Sequence, residues 1–178
     1  MSAGSRGAAI LFASAGAVWV LDRLSKLWVQ DALAGRPPVR VIPGVLDLRY
    51  TLNSGGAFSI GQSAPWLFAG ATIVVSVVIV ATAWRHTSVL TSVALGLILG
   101  GALGNLTDRI VRGPRLTGKV IDFIDVHVWP VFNVADSAVV IGAVLLALSA
   151  TRDGERARPD PQEDGSRGAG DQATPHAG

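Results

Sequence analysis

The chain has 178 residues, 49% hydrophobic and only 16% charged, and its 15 basic against 13 acidic side chains leave a formal net charge of +2. Mean hydropathy is +0.45, which makes lipid rather than water the expected solvent for most of the surface. Cysteine is absent, so disulfides, thiolate metal sites and a cysteine nucleophile are excluded, and no phosphate-cradling glycine loop or nucleic-acid motif occurs.

A first apolar stretch runs from about Ala8 to Val29, with Asp22, Arg23 and Lys26 in its second half. A secretory signal peptide is the competing reading, given Arg6 ahead of the apolar run and Ala32-Leu33-Ala34 behind it. Three charges between that run and the cleavage-like tripeptide favour a retained helix instead. Asp22 and Lys26 are four apart with the acid first, the favourable order for an intrahelical ion pair. Ser25 and Lys26 are adjacent, face different ways on a helix, and make a poor Ser–Lys dyad.

The link over residues 30–64 contains VRVIPGVLDLRYTLN, where apolar and polar residues alternate. One or two short strands at the membrane surface are expected there. Ser54-Gly55-Gly56 then breaks the chain, and Asn53 ahead of it reads locally as a turn residue. Pro65 to Trp84 is a run of twenty residues without a charge and Ser88 to Leu106 one of nineteen. Each is long enough to cross a hydrocarbon core of ~30 Å as a helix. His86 and Thr87 are nearly all that separates them.

Within the third stretch Gly96, Gly100 and Gly104 share one helical face, a spacing that lets helices approach closely in lipid. Asn105 and Arg109 are also four apart near its end, with Asp108 in the same cluster. These polar residues either dress a helix end to meet water or shape a polar site. The second long link, 107–130, adds Asp122 and Asp125. A fourth apolar stretch, Val131 to Ala150, is interrupted only by Asp136. Asn133 lies three residues before Asp136 on the same face; capping of a helix start is the plain explanation for both.

An aspartate in a membrane span costs about 2.5–3.5 kcal/mol, so it is a functional candidate by default. Two nearby carboxylates tend to share a proton, leaving one as general base and the other as general acid. Asp122 and Asp136 are therefore candidates for activating water against an amide without metal, serine or cysteine. Two other classes remain open. Asp108, Asp122, Asp125 and Asp136 supply oxygen ligands for a metal-dependent membrane hydrolase, although a lone His127 beside Asp125 is a poor zinc signal. A small Asp-containing transporter would instead carry polar residues through the membrane depth, whereas spans two to four are apolar except at one end.

From Arg152 the character changes to Pro, Gly and mixed charge, so residues 1–151 read as a membrane-embedded domain and 152–178 as a disordered tail. The tail has four Arg against six acids, leaving the body eleven basic residues against seven Asp. Such a body has some attraction for anionic headgroups. Charge counting does not orient the chain, because five basic residues on the terminal side face six on the other. Trp28, Trp66, Trp84 and Trp129 sit near span ends, as interfacial anchors do.

Five segments together resemble the prolipoprotein signal peptidases (signal peptidase II), a family of bacterial intramembrane aspartyl proteases. They are DRLSK at Asp22–Lys26, NSGGAF at Asn53–Phe58, GGALGNLTDR at Gly100–Arg109, VIDFIDV at Val120–Val126 and FNVADS at Phe132–Ser137, in the family's order over about 115 residues. Gly56 departs from the Ala more often found there. The resemblance implies an α-helical polytopic membrane protein, with four transmembrane helices, a small extracytoplasmic β-cradle from the first link and a short flap-like surface helix in the second. It also implies a bacterial cytoplasmic (inner) membrane location, cytoplasmic termini and an active site near the extracytoplasmic face. The implied reaction removes the signal peptide just before a cysteine bearing a diacylglyceryl group. Asp122 and Asp136 would be the catalytic dyad; Asn53, Asn105, Arg109 and Asn133 would position it and the substrate, and Asp22 and Lys26 would support the site. Asp108 and Asp125 would be structural or peripheral. No metal or other cofactor is implied, and the expected partners are diacylglyceryl-modified prolipoproteins, membrane lipids and the cyclic peptide inhibitor globomycin.

Overall fold

The first helix, α1 (Ala3–Leu33), has 31 residues and starts at Ser2, whose hydroxyl accepts from the Ser5 N–H. At 1.5 Å per residue it is ~45 Å long, well beyond the ~30 Å hydrocarbon core. A computed structural model describes residues 2–55, 65–85 and 88–156. After α1 come β1 (Val39–Ile42) and β2 (Leu46–Asn53), joined by a tight turn in which the Val45 N–H donates to the Ile42 carbonyl and Gly44 takes φ +76°. Glycine enters that left-handed region without the steric penalty of a Cβ. Helix α2 (Pro65–Thr82) runs into a 3-10 turn at Ala83–Arg85, and α3 (Val89–Val111) is followed by another at Pro114–Leu116. Strand β3 (Val120–Asp125) and helix α4 (Val134–Arg156) complete the described residues.

Among these residues, four helices are long and apolar enough to cross a membrane: Ala3–Leu33, Trp66–Arg85, Val89–Val111 and Val134–Thr151. They match the four apolar stretches of the sequence. His86 and Thr87, and residues Gly56 to Ala64 with the second half of the NSGGAF segment, lie outside the described residues. The α4 backbone stays helical to Arg156, five residues past the expected domain boundary at Thr151, and 157–178 lie outside the description.

The described strands form one antiparallel sheet in the order β1-β2-β3. The first link supplies two of them, as its alternation predicts. The third comes from the second link: VIDFID, notable in the sequence only for its acids, pairs with β2 so that Asn53 lies opposite Val120 and Thr51 opposite Asp122. The surface helical element of that link is only the 3-10 turn at Pro114–Leu116.

Two packing arrangements hold the site. Ile121 and Phe123 of β3 pack with Val29 and Leu33 at the C-terminal end of α1, fixing the sheet to the bundle. Because side chains alternate along a strand, Val120 and Asp122 then face the other way. At the centre, α3 packs against each of the other three helices. A Cβ added at Gly96 would lie 2.5 Å from the Leu11 carbonyl oxygen, and one at Gly100 2.6 Å from that of Ala15. The expected small-residue face thus seats α1 directly on α3. Outward-facing Val74, Val78, Val144 and Leu148 are exposed, as lipid-facing residues should be.

Candidate active site

The end of the bundle beneath the sheet gathers polar residues from five elements. β2 contributes Asn53 through its last residue, and β3 contributes Asp122. The last turns of α3 bring Asn105, Asp108 and Arg109, the first turn of α4 brings Asp136 with Asn133 just before it, and α1 brings Asp22 and Lys26. A cavity of about 450 Å³ has Asn53, Asn105, Arg109, Asp122 and Asp136 on its polar wall. Its remaining wall runs down between α2 and α4 along Val75, Ile98, Val139 and Val140.

Each carboxylate is held by asparagine amides. Asn53 Nδ2 donates to Asp122 Oδ2 at 2.9 Å and Asn133 Nδ2 to Asp122 Oδ1 at 2.7 Å. Asn105 Nδ2 donates to Asp136 Oδ1 at 2.8 Å, and the Asn133 backbone N–H donates to Asp136 Oδ2 at 3.2 Å. Asn133 also accepts from the Asp136 N–H through Oδ1 at 2.9 Å. That reciprocal pair is a helix cap. The capping explanation of Asn133 is correct and incomplete, since its amide nitrogen meanwhile reaches the second aspartate from a fully buried position.

Asp122 is 2% exposed. Burial first, and the negative charge of Asp136 second, push its carboxyl up to about 7, against the Asn53 and Asn133 hydrogen bonds and the charge of Lys26. Desolvation disfavours the charged form and a like charge adds to it. A carboxyl poised there exchanges protons at neutral pH.

Lys26 is fully buried and supports this wall from behind. Its ammonium pairs with Asp22 at 2.8 Å and Asp108 at 3.1 Å, and donates to Asn105 Oδ1 at 2.9 Å. A buried ammonium needs such compensation, and three acceptors match its three donors. Asp22 reaches the other way, accepting from the Ala135 N–H at the start of α4. The intrahelical pair expected from the sequence therefore exists, and it also ties α1 to α3 and α4. Arg109 is buried, with NH2 donating to the Gly55 carbonyl at 2.9 Å and NH1 to that of Gly118 at 3.4 Å.

Asp108, expected to be structural or peripheral, is fully buried at the centre of this support. Its oxygens receive Lys26, Arg23, Arg112 and the Ile121 backbone N–H, which precedes Asp122 by one residue. The i,i+4 spacing of Asp108 and Arg112 was the available sequence signal; the Arg23 contact crosses between helices and left none. Asp125 does lie apart, pairing with Arg49 at 3.1 Å and accepting from the His127 N–H. Among the described residues, no three His, Cys, Asp or Glu side chains converge to hold a metal ion.

Four membrane-length helices closing over a polar, acid-lined cavity at one end define a polytopic membrane enzyme. Relatives narrow the class. Residues 14–152 match the family model described as signal peptidase (SPase) II. The chain is 44% identical over 140 residues to a lipoprotein signal peptidase of Syntrophomonas wolfei, covering 78% of this chain and 91% of that one. It is 41% identical over 150 residues to one of Streptomyces coelicolor, covering 84% and 74%. A solved bacterial membrane enzyme superposes with a TM-score of 0.72 at 27% identity, covering 84% of this chain and 92% of that one. The chain belongs to the signal peptidase II family and is a multi-pass membrane peptidase.

Proposed function

We propose that this protein is an aspartic endopeptidase that removes signal peptides from diacylglyceryl-modified prolipoproteins, cutting just before the lipidated cysteine. The observation that carries the reading is the gripping of Asp122 and Asp136 by three asparagines on one wall of a single cavity. The opposite, apolar stretch of that cavity suits a signal helix or lipid tails, so the scissile amide meets the carboxylates where the bundle turns polar. Relatives bearing the name lipoprotein signal peptidase support the substrate class.

In the proposed reaction the pair shares one proton. The ionised carboxylate takes a proton from water as the oxygen attacks the scissile carbonyl carbon, and the protonated partner hydrogen-bonds to the developing oxyanion. Proton transfer to the amide nitrogen then lets the C–N bond break, freeing the cysteine amine and the signal-peptide carboxyl. Asn53, Asn105 and Asn133 hold the dyad, Arg109 stiffens the Gly55 region beside it, and Asp22 and Lys26 hold Asn105 and the start of α4. In this reading the termini are cytoplasmic, and the sheet and cavity lie at the extracytoplasmic face of the bacterial inner membrane.

A gel-shift assay of a diacylglyceryl-modified prolipoprotein with purified enzyme tests the reading. Asp122→Asn and Asp136→Asn should each abolish cleavage with membrane insertion retained, because an amide cannot exchange the proton as a carboxyl does. Normal turnover by both variants would sink the dyad. Cleavage should withstand EDTA and thiol reagents and be blocked by globomycin. Loss with chelator and recovery with one divalent ion would move the assignment to a metal-dependent hydrolase.

A further inference from the structure

On the outer side of α1, away from the dyad, lies a second cavity of about 720 Å³, lined by Arg23, Leu27, Gln30, Val111, Arg112 and Lys119 among others. It shares no lining residue with the dyad cavity, and among the described residues no carboxylate lines it. We propose that this groove binds the phosphodiester headgroup of an anionic membrane phospholipid.

Three observations carry the proposal. The first is unspent donors. A guanidinium has five N–H groups, and Arg23 uses one of them, in a long 3.4 Å contact to Asp108. Arg112 donates through Nε to Asp108 and through NH2 to Gln30. Lys119 is exposed and forms no ion pair among the described residues. The second is charge. Among the described residues, Arg23, Lys26 and Arg112 form ion pairs only with Asp22 and Asp108 and Lys119 forms none, so these four cations exceed their paired acids by two charges. Asp108 cannot absorb more, because both its oxygens already accept two donors each.

The third observation is depth. Arg23 lies level with the end of α3, where Arg112 caps the helix. The surface beside the groove is apolar and outward-facing: Leu24 and Leu27 on α1, Ile110 and Val111 on α3. Acyl chains lying along that surface bring the phosphate to the height of the three cations. A diester phosphate supplies one negative charge and acceptor oxygens that suit a guanidinium fork. Cations at this height attract anionic lipid at about 1 kcal/mol each, or roughly fivefold in affinity.

The test is native mass spectrometry of the full chain in neutral detergent, titrated with phosphatidylglycerol, phosphatidylcholine or inorganic phosphate. Phosphatidylglycerol should bind at least about fivefold more tightly than phosphatidylcholine. Lys119→Gln should lose about fivefold of that affinity, Arg23→Gln with Lys119→Gln clearly more, and Lys119→Arg nearly nothing. Millimolar inorganic phosphate should fail to displace the lipid. Equal retention of the two lipids, or unchanged binding by Lys119→Gln, overturns the proposal. Displacement by inorganic phosphate also overturns it, making the groove a free-anion site. Should the double variant fail to fold, Lys119→Gln against Lys119→Arg decides alone. No substrate enters the measurement, so its failure leaves the peptidase reading untouched.

Discussion

Asn53 and Asn133 each do two jobs, and both oppose the burial and the Asp136 charge that raise the Asp122 carboxyl. Asn53 Oδ1 accepts from the Gly55 N–H while its amide donates to Asp122. Those donors favour the carboxylate, whereas burial and Asp136 favour the acid and prevail, lifting the carboxyl from 3.8 to about 7. A raised carboxyl pKa means that the group's contribution to stability is complete below the ordinary value and is lost as pH rises through about 7. Catalysis by a dyad sharing one proton should follow the same limb, falling about tenfold per pH unit once that proton is gone. Asn53→Ala removes a donor to the charged form, so the alkaline limb of the cleavage profile should move to higher pH even as the rate falls. A limb that stays in place would mean that another group titrates.

At the scale of elements, α3 is the spine, and its glycines set how closely α1 and α4 approach. Gly104 couples that approach to the polar cluster, because a Cβ there would lie 2.5 Å from Asp22 Oδ2 and 3.2 Å from the Ala135 Cβ. Gly104→Val should therefore push Asp22 away from Lys26 and from the Ala135 N–H, destabilising the bundle by about 1–3 kcal/mol or more. Gly16 in α1 is the natural control, since a Cβ added there meets nothing within 4 Å. Thermal unfolding in detergent should separate Gly104→Val from Gly16→Val clearly; equal midpoints would mean that close approach at Gly104 is not limiting. Strand β3 acts as a clamp: one face is packed on α1 through Ile121 and Phe123, leaving the other to present Asp122.

Across the whole molecule, the candidate site is confined to one end. Asp136 stands in the first turn of α4, and twenty residues of helix, or ~30 Å, separate it from Arg156. Charges beyond that distance are screened at physiological salt, where the Debye length is about 8 Å. Truncation after Arg156 should accordingly leave cleavage per folded enzyme unchanged, measured on the lipidated precursor with enzyme quantified in the membrane. A collapse of specific activity would make residues 157–178 part of the catalytic unit.

Hydrophobicity and spacing were enough to read four spans, the glycine face of α3 and the strands of the first link, because each is a periodic, local signal. The family motifs also named the residues that the fold gathers: Asn53, Asn105, Arg109, Asp122 and Asp136 around one cavity, with Asn133, Asp22 and Lys26 buried behind them. Pairing was not legible. VIDFID has no clean alternation of burial, since one face packs on α1 while the other lines a cavity, so nothing local marks it as the sheet's third strand. The central position of Asp108 was equally hidden, because two of its cationic partners, Arg23 and Lys26, come from a helix more than eighty residues earlier. A buried charge is satisfied by whatever the tertiary fold brings to it, and only that fold brought three cations and a backbone N–H to one carboxylate.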